Sequence, residues 1–209
     1  MPVSQTHGVR NGADVVLKSL FALIAGPRGP LLFGITFIAG CVWFVRRDVA
    51  VHGGRLRLAV FAAMLAESTA LALVFGIVVG TITARLLGFF GVLAIGPVEG
   101  LDAWTRLMVS LGAGLYEELL FRVVLVSALA LVGRRVFGWR PVMAGAWAVI
   151  LGAFMFSAFH YLGPYGDVLE LRSFVFRMIA GLFFSALYLL RGFGIVAWTH
   201  ALYDVLLLF

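Results

Sequence analysis

The sequence is poor in charge. Only 12% of its 209 residues are Asp, Glu, Lys or Arg, whereas 63% are hydrophobic and the mean hydropathy is +1.08. Soluble globular proteins have about 25% charged and about 45–50% apolar residues. So few charged groups cannot cover a water-facing surface, which excludes an ordinary soluble enzyme and a disordered chain. The composition predicts an integral membrane protein.

The sequence also has almost no cysteine. Cys41 is the one cysteine, so no disulfide can form within one chain and a disulfide-stapled secreted domain is excluded. It lies in an apolar run, where we expect a small buried hydrophobic residue. The formal net charge is +6, but Lys and Arg lie mostly in short loops between apolar runs. That arrangement is a signal of membrane topology and predicts no nucleic-acid partner.

Long apolar runs are what the sequence has in abundance. Since about 20 apolar residues suffice to span a bilayer, we predict an all-α, polytopic membrane helix bundle of about seven transmembrane helices, within a range of roughly six to eight. Residues 1–209 are predicted to form a single domain. The glycine-rich stretch 81–101 is compatible with a short re-entrant or interfacial helix. The seven runs are approximately 15–25, 31–45, 58–80, 104–132, 141–161, 173–190 and 195–209.

The loops alternate in charge. Most Lys and Arg residues fall in one alternating set of loops, and the acidic loop residues fall in the other. By the positive-inside rule, this pattern predicts a cytoplasmic N-terminus and an external C-terminus. The predicted location is the inner (plasma) membrane of a bacterial cell, where the chain lies in the lipid bilayer as a multi-pass protein.

Ionisable side chains within the apolar runs are the candidate functional residues. A charge at mid-membrane costs roughly 2.5–3.5 kcal/mol on insertion scales, so such residues are retained for a reason. The sequence predicts no role for residues 1–103, Glu67 included. The whole set is Glu67, Glu117, Glu118, Arg122, His160, Arg177, His200 and Asp204.

Glu117 and Glu118 lie near the centre of the fourth run. Two adjacent carboxylates in hydrocarbon cannot both be ionised without a partner. On a helix, Glu118 and Arg122 are one turn apart and can pair. Glu117, on another side of the helix, then becomes available for acid–base chemistry. The alternative is a structural ion pair accompanied by a protonated glutamate.

Two histidines come from other runs. His160 ends the fifth run, and His200 shares a helical face with Asp204 in the seventh. A carboxylate and an imidazole can hold a nucleophilic water, and a second histidine can stabilise the oxyanion that forms on a carbonyl. An interfacial His160 and a satisfied pair of His200 with Asp204 are the structural alternatives.

The three segments match a known set of motifs in order and spacing. The motifs are Glu-Glu-x-x-x-Arg, Phe-x-x-x-His and His-x-x-x-Asn/Asp, and over residues 104–209 the sequence thereby resembles the CAAX protease and bacteriocin-processing family. That family consists of all-helical intramembrane peptidases. The matching segments are Glu117-Glu118-Leu-Leu-Phe-Arg122, Phe156-Ser-Ala-Phe-His160 and His200-Ala-Leu-Tyr-Asp204.

The resemblance implies a role for each motif residue. Glu117 and His160 would activate a water, and His200 with Asp204 would stabilise the oxyanion. Because an aspartate has no amide N–H to donate, orienting the His200 ring suits Asp204 better. No cofactor and no metal are implied. The supporting residues would be Glu118 and Arg122.

The resemblance also implies a class of substrate. We expect hydrolysis of a peptide bond in a membrane-anchored protein or peptide, such as a C-terminal tail or sorting signal. The charge of the loops, together with the place of His160 at the end of the fifth run, predicts that the site opens toward the outer face. A prenylated substrate is not implied. Two alternatives stay open: a zinc-dependent protease with Glu117, His160 and His200 as ligands, and a non-catalytic immunity or scaffold protein.

Overall fold

A computed structural model describes residues 12–54, 57–88, 102–162 and 166–207. In these residues all regular secondary structure is helical, as the composition predicts, and none of them forms a strand. A 3-10 turn (Gly26–Arg28) precedes the second helix, and two π-helical segments (Ala113–Glu117 and Leu119–Val126) precede the fifth. The α-helices are α1 (Gly12–Ala25), α2 (Gly29–His52), α3 (Leu58–Leu87), α4 (Ala103–Gly112), α5 (Ser127–Arg135), α6 (Pro141–Phe159) and α7 (Leu171–Leu206).

Several of these helices are long and apolar enough to cross a membrane. Within the described ranges there are four such stretches. They confirm an all-helical protein with several membrane spans, but they do not confirm the predicted count of about seven. The stretches are Gly12–Arg47, Leu58–Leu87, Pro141–Phe159 and Leu171–Leu206.

The chain divides into two compact units, residues 1–64 and 65–209. In the first unit α1 and α2 fold back on each other, since the rings of Phe21 and Phe33 meet edge to face with centroids 5.4 Å apart. The reversal occurs at Gly26, whose φ of +56° is a left-handed conformation that favours glycine. The first candidate span is therefore a helical hairpin.

The second unit packs around Phe75 of α3, whose side chain is buried. Its ring stacks on that of Phe184 with centroids 4.5 Å apart and meets the ring of Tyr203 edge-on at 4.4 Å. Such aromatic pairs contribute about 0.5–1.5 kcal/mol each beyond the area that they bury. Because Phe184 and Tyr203 come from different halves of α7, both halves must contact α3.

A break at Gly192 makes this arrangement possible. Its φ of 80° and ψ of −179° are non-helical, and the positive φ favours glycine. The break falls between the predicted runs 173–190 and 195–209, of which residues 208–209 lie outside the described residues. Glu67 of α3 lies beside this break, and its two carboxylate oxygens accept hydrogen bonds from Arg191 at 2.6 and 2.5 Å. Glu67 thus has a structural partner that the sequence did not predict.

Some helices extend beyond the predicted apolar runs, as α2 does to His52. The third run was predicted to end at residue 80, but α3 continues to Leu87. Of the predicted re-entrant stretch 81–101, residues 89–101 lie outside the described residues. Cys41 is exposed, so the expectation of a small buried residue is wrong.

The fourth run begins with an N-cap. The carboxylate of Asp102 accepts a hydrogen bond from the backbone N–H of Thr105 at 3.1 Å and another from its hydroxyl. The pKa of Asp102 is held below its usual value mainly by the hydrogen bond from the Thr105 hydroxyl, and also by that from the backbone N–H. The helical path then continues without a turn or loop through residue 135 and contains the whole predicted run 104–132.

Candidate active site

The backbone that carries Glu117 and Glu118 is not an ordinary α-helix. Residues Ala113–Glu117 and Leu119–Val126 are π-helical, with backbone hydrogen bonds that span one residue more than in an α-helix. Short π-helical turns within α-helices occur frequently at functional sites. Sequence analysis expected a regular helix here, because the hydrophobic pattern reports which residues are apolar and not which carbonyl each N–H contacts.

Gly114 lets this segment approach the C-terminal half of α7 very closely. A Cβ atom at Gly114 would overlap the carbonyl oxygen of Ala197 and lie 2.6 Å from the backbone nitrogen of Ala201. Small residues allow such close helix contacts within membranes. The contact brings Glu117 and Glu118 next to His200, which lies beside Ala201 in the chain.

Glu118 and Arg122 form the one-turn ion pair that the sequence predicts. The Nε atom of Arg122 lies 3.1 Å from Oε2 of Glu118, and the two side chains are 1% and 0% exposed. The guanidinium also lies 4.5 Å from the ring centroid of Phe156 and donates to the carbonyl of Gly181 at 3.4 Å. The pair is thus enclosed by aromatic and backbone partners.

Glu118 also fixes the orientation of His200. Its Oε1 atom lies 2.7 Å from Nδ1 of His200, and both groups are buried. An ionised carboxylate can only accept, so Nδ1 carries the proton of this hydrogen bond. The ring is held further by Phe184, which stacks on it with centroids 4.6 Å apart at 18°.

Asp204 lies beside His200, one helical turn along α7, as its spacing predicts. The Nδ1 atom of His200, however, donates its hydrogen bond to Glu118. The Oδ2 atom of Asp204 lies 3.7 Å from the other nitrogen, Nε2, and its side chain is 29% exposed. The pair was predicted from one-turn spacing alone, whereas Glu118 reaches His200 from a different helix.

Glu117 lies between the two histidines. Its Oε2 atom is 3.8 Å from Nε2 of His160 and 4.0 Å from Nε2 of His200. Three parts of the chain that are far apart in sequence contribute these groups, as the three motifs predict. The side chains of Glu117 and His200 are 9% and 7% exposed, whereas that of His160 is 24% exposed. Water can therefore approach Glu117 from the His160 side.

The hydrogen bond of Nδ1 determines the tautomer of His160. Nδ1 lies 2.9 Å from the carbonyl oxygen of Phe156. Because a carbonyl can only accept, Nδ1 carries the proton, and Nε2 of the neutral ring is left as an acceptor facing Glu117. His160 itself caps the C-terminus of α6.

Arg177 has a partner that sequence reasoning did not pair with it. Arg177 forms an ion pair with Asp167, in which both side chains are partly buried. The sequence placed Asp167 in a loop and Arg177 in a helix. Nothing in their spacing indicated that the loop folds back onto α7.

The donor set can also be compared with a zinc site. Ligands bound to one zinc ion at 2.0–2.1 Å in tetrahedral geometry lie about 3.3–3.4 Å apart. The separations from Glu117 to His160 and His200, 3.8 and 4.0 Å, are wider. Within the described ranges, no group of three or more His, Cys, Asp or Glu side chains is close enough to hold a metal ion.

Comparison with known proteins gives one match. The family described as "Type II CAAX prenyl endopeptidase Rce1-like" matches residues 99–206, a range that includes all three motif segments. No curated protein and no solved structure is significantly similar to the chain.

Proposed function

Since the chain belongs to the Rce1-like type II CAAX prenyl endopeptidase family, we propose that it is an intramembrane endopeptidase in which Glu117 and His160 activate a water. The observation that carries this proposal is the convergence of Glu117, His160 and His200 in a largely buried position. The substrate is a membrane-anchored protein or peptide, because the reacting groups belong to a protein with several membrane spans.

The nucleophile is a water held by Glu117 and His160. Their facing atoms are 3.8 Å apart, a separation at which one water can contact both. Nε2 of neutral His160 and the carboxylate both accept, so the water donates both protons to them. Its lone pairs then point away from these two residues and toward the substrate carbonyl.

Glu117 takes up a proton as the water attacks. A carboxylate placed within reach of the attacking water can accept this proton as a general base. The same proton then passes to the nitrogen of the leaving amine. The products are a carboxylic acid and an amine, and Glu117 returns to its ionised form.

His200 stabilises the oxyanion of the tetrahedral intermediate. Its Nδ1 proton is engaged by Glu118, so Nε2 carries a proton only when the ring is an imidazolium. The carboxylates of Glu117, Glu118 and Asp204 surround the ring and favour this charged form. A charged donor is stronger than a neutral one, especially in a site of low dielectric constant.

Asp204 supports the charge of His200 in this mechanism. At 3.7 Å from Nε2, it attracts the imidazolium without occupying the hydrogen bond that the oxyanion requires. An ionised aspartate cannot donate to the oxyanion itself. We therefore place Asp204 beside the oxyanion position rather than in it.

The membrane arrangement belongs to the same proposal. The apolar runs indicate about seven spans, and the charge of the loops places the N-terminus in the cytoplasm, in a bacterial inner membrane. His160 then lies near the outer face. A C-terminal tail or sorting signal, cut near that face during or after export, is the substrate class that fits this placement.

Replacing Glu117 by Gln tests the mechanism. The amide keeps the size of the side chain and loses its basicity, so cleavage should fall to background while thermal stability changes little. Membranes of cells that produce the wild-type and Glu117→Gln proteins would be compared by mass spectrometry of new protein termini. Glu170→Gln, at an exposed glutamate, is the matched control and should cleave like the wild type.

The same comparison decides between the alternatives. Termini that persist with Glu117→Gln contradict the glutamate mechanism. A wild-type protein that produces no new termini favours the non-catalytic immunity or scaffold function. Activity that is lost on chelation and restored by zinc favours the metalloprotease.

A further inference from the structure

The end of α6, which carries His160, is tied to the start of α7. The backbone N–H of Asp167 donates to the carbonyl of His160 at 2.9 Å. The carboxylate of Asp167 in turn accepts a hydrogen bond from Nη2 of Arg177, with which it forms an ion pair. Arg177 is thereby linked to the backbone of His160 through a single intervening residue.

A second set of contacts ties the neighbours of His160 to the same part of α7. The guanidinium of Arg177 lies 5.3 Å from the ring centroid of Tyr161, and that ring stacks on Phe174 at 6.1 Å. On the other side of His160, the hydroxyl of Ser157 donates to the carbonyl of Phe174 at 2.7 Å. The chain is thus held to α7 both before and after His160.

His160 needs such support because of its position. It follows the last residue of α6, and the ends of helices fray more readily than their centres. In the proposed mechanism its Nε2 must stay directed at the water that Glu117 holds. A displacement of about 1 Å in a catalytic group can cost roughly 100-fold in rate.

Arg177 also contributes its charge. Burial is the main cause that lowers the pKa of His160, the charge of Glu117 opposes it, and the charges of Arg177 and His200 add to it. A nearby positive charge disfavours the imidazolium form and so preserves the acceptor at Nε2 that the water requires. Asp167 offsets part of this effect through its ion pair with Arg177.

We propose that Arg177, through its ion pair with Asp167, is a positioning residue that holds His160 toward Glu117 and keeps its ring neutral. This inference rests on the proposed function, in which His160 acts as an acceptor for the water. It assigns a role to Arg177, an ionisable residue within the apolar runs that the motifs do not include.

Kinetics give the first test. Arg177→Gln and Asp167→Asn should each lower kcat by about 10- to 100-fold and change KM by less than about twofold, because the proposed role affects the water and not substrate binding. Arg177→Lys keeps the charge and should recover most of the rate. The substrate is a pool of palmitoylated peptides, each with eight randomised apolar residues between a fluorophore and its quencher. Cleavage by the full-length protein in detergent is measured as an increase in fluorescence.

Arg191→Gln is the matched control. It removes a different ion pair of α7, that of Arg191 with Glu67, which is remote from His160 in the chain. It should leave kcat unchanged. If Arg191→Gln lowers kcat as much as Arg177→Gln does, or if Arg177→Lys does not recover the rate, the role is merely structural and the proposal is overturned.

Nuclear magnetic resonance gives a test that needs no substrate. The chain has four histidines, and the signals of His160 are identified by their loss in His160→Gln. The pH at which the His160 ring titrates should rise by roughly half to one unit in Arg177→Gln and fall in Asp167→Asn. No change, or shifts of the same sign, overturns the proposal. A wild-type protein that cleaves no peptide contradicts the proposed function, and the titration still decides the role of Arg177.

Discussion

Replacing Arg122 by Met would remove the cation beside a carboxylate that has no contact with solvent. Glu118 is 0% exposed, and its Oε2 atom lies 3.1 Å from Nε of Arg122. Removing one member of a buried ion pair typically costs about 3–5 kcal/mol, because the remaining charge is left in a medium that solvates it poorly. Met has a similar length and can still pack against Phe156, but it lacks the charge and the hydrogen bond to Gly181.

The expected loss is large enough to measure by thermal unfolding. For a chain of this size, 1 kcal/mol corresponds to roughly 2–4 °C in Tm, so Arg122→Met should unfold about 6–20 °C below the wild type. Circular dichroism in a mild detergent would follow the transition. Arg191→Met, which breaks the exposed ion pair with Glu67, is the control and should leave Tm nearly unchanged.

A double variant separates the charge from the shape of the side chains. Glu118→Gln combined with Arg122→Met removes both charges, and the Gln carbonyl can still accept from Nδ1 of His200. Most of the lost stability should return, with a coupling energy of about 2 kcal/mol or more in a double-mutant cycle. An Arg122→Met protein that unfolds within about 1 kcal/mol of the wild type, or a double variant no more stable than Arg122→Met, would refute this account of the pair.

Three further outcomes are expected. Gly114→Ala should lower stability by about 1–3 kcal/mol and reduce cleavage, because the added Cβ meets the facing backbone. Gly80→Ala is the control and should do neither, because its Cβ meets nothing within 4 Å. If both variants unfold at the same temperature, the close contact at Gly114 is contradicted. Cleavage should survive prolonged chelation, and elemental analysis of the purified protein should find much less than one zinc per chain. In a Cys41→Ala background, an impermeant thiol reagent on intact cells should label Val168→Cys and spare Gly54→Cys; the reverse pattern would place the site at the cytoplasmic face.

The sequence predicts much of the fold because membrane helices must be both long and apolar. The run predicted at 141–161 corresponds to α6 (Pro141–Phe159), and the gap between the sixth and seventh runs contains the break at Gly192. The third helix was predicted too short, because Thr81 and Thr83 lower the hydropathy without ending the helix. Thr83 is buried and donates its hydroxyl to the carbonyl of Val79 at 2.8 Å, which makes it compatible with a helix interior.

Contacts of the candidate site within one helix could be predicted from the sequence, whereas contacts between helices could not. The pair of Glu118 with Arg122 could be predicted because one-turn spacing places both side chains on one face. The hydrogen bond from His200 to Glu118 could not, because it joins two helices whose relative rotation depends on packing at Gly114. The π-helical backbone could not be predicted from the sequence either, because a change in the hydrogen-bonding pattern does not alter the order of apolar residues. The proximity of His160 and His200 to Glu117 was predicted from the three motifs taken together.

The buried polar cluster also constrains how the protein is made. The helix that contains Glu118 and Arg122 is synthesised before α6 and α7. The two residues can neutralise each other within this helix, because they form an ion pair one turn apart. The two histidines that face Glu117 are contributed by later segments. During synthesis Glu117 and Glu118 are therefore made before His160 and His200 can contact them. A chain whose α7 fails to dock leaves both carboxylates without His200, so the polar cluster is completed only when the last helix packs.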